Sequence, residues 1–168
     1  EGLTRNALYR VGIYIRLSKE DTDKVIESES ITNQRNILLA YLKENKLALS
    51  GEYVDDGVSG TTFDRPAFNR LINDIEDGKI NMVVTKDLSR LGRDYIQSGY
   101  YVEQYFPMKR VRYVSILDNI DTERTNSSEN DIAPFRSILN EMYAKDISKK
   151  IRIVFQQKKE DGQFLSTS

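Results

Sequence analysis

Short apolar runs of strand character alternate along this chain with stretches of helical periodicity, and no other feature restricts its fold as strongly. In Val11-Gly-Ile-Tyr-Ile-Arg-Leu17, the residues Val11, Ile13, Ile15 and Leu17 alternate as a strand requires, and the run stops at Ser18. Residues 19–29 are polar and aperiodic, a loop. From Ser30, placed to cap a helix, Ile31, Gln34, Leu38, Tyr41 and Leu42 share one face. A short strand is expected over residues 52–56, then turn chemistry in Gly57-Val-Ser-Gly-Thr-Thr62. A second helix should start at Asp64-Arg-Pro66, with Asp64 as its cap, a stripe of Phe68, Leu71, Ile72 and Ile75, and Gly78 at its close. Residues 80–85 read as a central strand, and residues 113–117 as a fourth. Between them lies a Tyr-rich helical stretch that runs to about Phe106 and should stop at Pro107. Residues 118–130 read as polar loop, and 131–159 as one long helix. This order predicts an α/β fold, with a mainly parallel β-sheet flanked by helices through right-handed crossovers.

At 1.5 Å per residue that last helix is about 43 Å long, more than a domain of this size covers, so its second half should project. The projecting part is basic, with Lys145, Lys149, Lys150, Arg152, Lys158 and Lys159. Across all 168 residues, however, Lys+Arg number 25 and Asp+Glu 26, so any nucleic-acid footprint is local to that segment. There is no histidine and no cysteine. Ser-His-Asp catalysis, thiolate nucleophiles, disulfides and His- or Cys-liganded zinc are thereby excluded from this chain. No apolar run has the length of a membrane span or a signal segment, which makes the cytoplasm the expected compartment.

Arg16 and Ser18, two apart at a strand end, are expected on one face at the carboxyl edge of the sheet, where open α/β sheets bind ligands. Asp55, Asp56 and the segment Lys86-Asp-Leu-Ser-Arg-Leu-Gly-Arg-Asp94 should line the same edge. A serine among arginines and carboxylates, without histidine, points to phosphoryl chemistry, in which positioning and charge neutralisation dominate. Each piece also has an ordinary structural reading. Ser18 suits a turn, Arg90 and Arg93 a solvated helix face, Asp55-Asp56 a turn, and Tyr95, Tyr100, Tyr101 and Tyr105 half-buried packing.

The joint pattern is more specific. Tyr14-Ile-Arg-Leu-Ser18, Ser30-Ile-Thr-Asn-Gln34, Asp56-Gly-Val-Ser-Gly-Thr-Thr-Phe-Asp-Arg65 and Ser89-Arg-Leu-Gly-Arg-Asp94 occur in the order and spacing of the serine recombinase catalytic domain. The resemblance runs from about residue 11 to residue 159. It is greatest to the large recombinases of the transposase and integrase branch, because Ser89 stands where small resolvases carry Asp and the first loop is longer. It implies that Ser18 attacks a DNA phosphodiester to form a 5′-phosphoserine link. Arg16, Arg65, Arg90 and Arg93 are then phosphate-binding arginines, Asp56 the active-site carboxylate and Gln34 the active-site glutamine. The resemblance further implies double-stranded DNA as partner, a homodimer that becomes a tetramer in the synaptic complex, and no need of ATP, metal or other cofactor. Residues 1–130 would be the catalytic core and 131–160 an oligomerisation and DNA-proximal helix, with Lys149, Lys150, Arg152, Lys158 and Lys159 toward DNA. Residues 161–168 would link to a C-terminal DNA-binding region. One departure is clear: a lysine of the small resolvases falls on Asp74. Near Asp146 the family carries an acidic residue, but the flanking residues differ and no role passes to it.

Three other readings compete. A receiver-like regulatory domain needs an acidic pair after the first strand, where this chain has Arg16 and Ser18. A non-catalytic DNA-binding or assembly module would share the fold without using Ser18. A metal-dependent nuclease would gather its acids, which here are dispersed.

Overall fold

Alternation in β1 (Val11–Ser18) sorts its side chains between two helical layers. Val11, Ile13 and Ile15 pack with Leu38 and Leu42 of α1 (Ile31–Glu44), whereas Tyr14 packs with Phe68, Leu71 and Ile75 of α2 (Pro66–Glu76). The structure is a computed structural model that describes residues 8–18, 30–58, 65–92, 94–125 and 132–162. As expected, Ser30 caps α1, its Oγ accepting from the Asn33 N–H at 3.1 Å. Gly12 lets the α2 layer close on the sheet, since a Cβ there would lie 3.1 Å from Leu71 Cδ1 and 3.2 Å from Tyr53 Cε2. Leu71, fully buried at this contact, should cost about 2–5 kcal/mol on truncation to Ala, measured by urea unfolding. A loss below about 1 kcal/mol would contradict tight packing of α2 on the sheet.

The remaining strands are β2 (Leu49–Val58), β3 (Met82–Thr85), β4 (Arg112–Ser115) and β5 (Ile120–Asp121). They form one sheet in the order β2-β1-β3-β4-β5, parallel except for β5, which runs antiparallel to β4. The expected α/β class is therefore the observed one, with several corrections. β2 is longer than residues 52–56 because it pairs along all of β1, from Val11↔Leu49 to Ser18↔Val58. β3 starts later than residue 80: Ile80 is buried but sits in the preceding turn, its N–H on the Asp74 carbonyl. β4 ends at Ser115, and the chain then turns, Asn119 N–H bonding the Ile116 carbonyl at 3.2 Å. Part of the expected loop 118–130 is instead β5 and a short helix α5 (Thr122–Thr125), as the two forked bonds from Arg112 to Asp121, 3.0 and 2.7 Å, hold β5 against β4.

Pro107 does not stop the Tyr-rich helix. That helix comprises α3 (Tyr95–Tyr100), a π-helical segment Tyr101–Tyr105 and α4 (Phe106–Met108), with Phe106 N–H bonded five residues back to the Tyr101 carbonyl. Pro107 stands in the first turn of α4, directly after the π turn, where the lack of an N–H is tolerated. The last element, α6 (Ile132–Glu160), spans 29 residues. Phe135, Ile138, Leu139 and Met142 pack it on the core, and every residue from 147 to 162 is exposed, so the second half projects as expected. Among the described residues no helix is long and apolar enough to cross a membrane.

Candidate active site

β1 outruns its neighbour β3, and that mismatch creates the site. β1 pairs with β3 only from Val11 to Ile13, so the carboxyl half of β1 has no strand on that side. A 3₁₀ turn, Leu88–Arg90, fills the gap. There Arg90 Nη1 donates to the Arg16 carbonyl at 2.9 Å, and Gln34 Nε2 of α1 donates to the same oxygen at 3.3 Å. In return Arg16 Nη2 donates to the Ser89 carbonyl at 2.5 Å. Each guanidinium is thus tied to the backbone of the other's segment. Arg90 is 6% exposed, with Nε 3.4 Å from Asp87 Oδ2, and Gln34 is fully buried.

The 3₁₀ turn is itself held from behind. Asp118 accepts from the Leu88 N–H at 2.6 Å and the Ser115 hydroxyl at 2.7 Å, while Thr85 Oγ1 donates to the Asp87 carbonyl and contacts Tyr113 Oη at 2.6 Å. Ser89 is exposed and its hydroxyl donates to Asp87. After the turn, Gly92 lies against α3, where a Cβ would come within 2.5 Å of Ser98 Oγ and 2.6 Å of Ser98 N. No side chain other than hydrogen fits there.

Arg65 is 5% exposed. Its Nη1 donates to the Leu91 carbonyl at 2.8 Å and its Nη2 to Gln97 Oε1 at 3.3 Å, with the guanidinium 4.0 Å above the Phe68 ring. Arg16 and Arg65 thus both bond backbone carbonyls of the segment that follows β3, while Gln34 and Arg90 meet at the Arg16 carbonyl of β1. Asp56 pairs with Leu17 across the strands and is exposed. Ser18 is the last residue of β1, opposite Val58 after a register shift; its side chain, Asp64 and Arg93 lie outside the described residues. Lys149, Lys150, Arg152, Lys158 and Lys159 are all exposed on α6, well along the helix from its core contacts.

The supporting bonds of three residues escape sequence reasoning. Asp118 and Asp146 cap turns from afar, Asp146 Oδ2 accepting from the Tyr95 N–H at 3.1 Å. Asp55, which in the sequence looks like turn chemistry, is 2% exposed and accepts from the Tyr14 hydroxyl and from two backbone N–H groups of α2. Burial raises the Tyr14 phenol well above its ordinary pKa, so it stays a donor. No local spacing signals any of these bonds, because their partners lie between 12 and 51 residues away.

A mainly parallel sheet thus gathers Arg16, Arg65 and Arg90 near its carboxyl edge, and a long helix leaves the core. The family model "Resolvase, N terminal domain" matches residues 11–164, and the chain belongs to that family. It is similar to the N-terminal catalytic domain of TP901-1 integrase, at 30% identity and TM-score 0.62 over 84% of this chain and 98% of that one. It is also similar to a resolvase family site-specific recombinase from Streptococcus pneumoniae, at 26% identity and TM-score 0.60 over 92% and 97%. A Bacillus subtilis (strain 168) protein provisionally named a DNA recombinase is 36% identical over 83 residues. That match takes in 49% of this chain but only 16% of the length of the curated relative.

Proposed function

We propose that this chain is the catalytic domain of a site-specific DNA recombinase and that Ser18 is its nucleophile. The observation that carries the reading is the crossed tie between Arg16 and Arg90 at the end of the strand that bears Ser18. Each guanidinium is fixed by a backbone carbonyl of the other's segment, which holds two permanent cations at the strand end where an anion would bind. A phosphodiester is the anion that guanidinium chemistry suits, the guanidinium being planar, permanently charged and matched to phosphate oxygens. In the step itself Ser18 Oγ forms a bond to phosphorus as the bond to O3′ breaks. The hydroxyl proton leaves the serine, and O3′ gains a proton to become a free 3′ hydroxyl. The guanidiniums stabilise the alkoxide and the charge of the five-coordinate phosphorus, which supplies what histidine supplies elsewhere. Because the phosphoserine ester conserves the bond energy, rejoining by the reverse attack needs neither ATP nor metal. Arg65, Arg93, Asp56 and Gln34 complete the proposed set.

Residues 131–160 act in this reading as the helix of assembly. On its projecting half Ile147, Ile151 and Val154 are 37%, 49% and 50% exposed at helical spacing, a stripe suited to pairing with a second copy. Its lysines lie toward double-stranded DNA in this reading. The test is cleavage of a two-site plasmid by the full-length protein in EDTA without nucleotide. The expected products carry free 3′ hydroxyls and protein on the 5′ ends; cleavage that stops in EDTA would overturn the reading. The chain as given should bind DNA weakly, with affinity falling on a shallow salt slope, because its one basic segment neutralises only a few phosphates. A salt series on site-containing and scrambled duplexes checks this. Affinity and discrimination equal to those of the full-length protein would contradict the division of labour.

A further inference from the structure

The start of α2 breaks a rule of helix capping. Its N-cap residue is Arg65, which makes no cap bond with its side chain, and a cation there faces the positive end of the helix dipole. The first-turn donors are nevertheless all accounted for. Pro66 has no N–H, Ala67 N–H donates to Asp55 Oδ1 at 2.9 Å, Phe68 N–H donates to Asp55 Oδ2 at 3.1 Å, and Asn69 N–H donates to the Arg65 carbonyl at 2.9 Å. Asp55, at the end of β2, therefore performs the capping that position 65 does not. The Tyr14 hydroxyl of β1 donates to the same carboxylate at 2.8 Å.

We infer that Asp55 is a positioning residue for the proposed chemistry: its carboxylate caps α2 from the neighbouring strand so that the cap position is released to Arg65. One anchor thereby joins β1, β2 and α2 within the core. A capping Ser or Asp at 65 would satisfy the helix locally and leave no guanidinium over Phe68 and on the Leu91 carbonyl. The carboxylate also offsets the positive charge that Arg65 adds to the helix end. Asn is a poor substitute, because its amide offers one acceptor oxygen where the two helix N–H groups use both carboxylate oxygens. The inference rests on the reading of Arg65 as a residue of the active site.

A double-mutant cycle in the full-length protein tests it, using single-turnover cleavage of a nicked site duplex. Asp55→Asn should lower the cleavage rate roughly thirtyfold, since small misplacements of a reacting group cost up to about a hundredfold, while DNA affinity changes less than about twofold. In an Arg65→Ala background the same change should cost less than about twofold, because the group it positions is gone. Equal losses in both backgrounds would overturn the inference and leave Asp55 a residue of general stability. Normal cleavage by Arg65→Ala alone would overturn the role of Arg65 and this inference with it, an outcome distinct from the first. Tyr14→Phe, which keeps the ring and deletes one donor to Asp55, repeats the cycle should Asp55→Asn fail to fold. It should slow cleavage about threefold in the parent and leave the rate unchanged in the Arg65→Ala background.

Discussion

Ser18→Ala is expected to remove covalent attachment to DNA while leaving DNA binding and oligomerisation within about twofold of the parent. Deleting one hydroxyl at a strand end removes the nucleophile, whereas the backbone of β1 keeps its pairing with β2 and its bonds to Gln34 and Arg90. The guanidiniums proposed to hold the phosphate are untouched. Cleavage should fall at least about a thousandfold, or some 4 kcal/mol of barrier, because no other group inherits the attack. The measurement is adduct formation on a nicked site duplex beside a mobility-shift titration. An adduct that persists in Ser18→Ala would rule out Ser18, and loss of binding together with cleavage would make it a structural residue.

Arg90→Lys should be nearly as damaging in rate. Arg90 reaches the Arg16 carbonyl through Nη1 and Asp87 through Nε, and a planar fork can do this while presenting another edge to a phosphate. An ammonium has its three donors on one nitrogen and cannot span those partners. The loss of one transition-state contact of this kind amounts to about 3 kcal/mol, or roughly a hundredfold. Arg93→Lys should behave alike, since the family resemblance gives Arg93 the same phosphate-binding role and an ammonium lacks the fork. Single-turnover cleavage at saturating protein separates rate from affinity. Near-parental rates for both variants would take these arginines out of the chemistry.

What could be read from the sequence depended on how local its physical cause was. The alternation of Val11, Ile13 and Ile15, the face of Leu38 and Leu42, and the cap at Ser30 are set within one turn or one strand, and all appear in the fold. Ile120 and Asp121 could show no period in two residues, and their pairing comes from Arg112. Pro107 sits directly after the π-helical segment Tyr101–Tyr105, a local change of pitch that no periodicity announces. That Arg16, Gln34, Arg65 and Arg90 belong together came from the order of four motifs, whereas the backbone carbonyls that tie them are set by the fold. The carboxylate was less so: of the adjacent pair, Asp56 is exposed and Asp55 is buried, a difference made by α2 and Tyr14 rather than by anything in the turn sequence.

The central claim is that a serine at the end of β1 becomes esterified to DNA. Stalling the full-length protein on a nicked duplex, digesting protein and DNA, and sequencing the nucleotide-bearing peptide by mass spectrometry tests it directly. The account predicts a peptide spanning Arg16, Leu17 and Ser18 with the added mass on Ser18, bonded to a 5′ phosphate. A modified residue elsewhere, or a 3′-phosphate link, would contradict it.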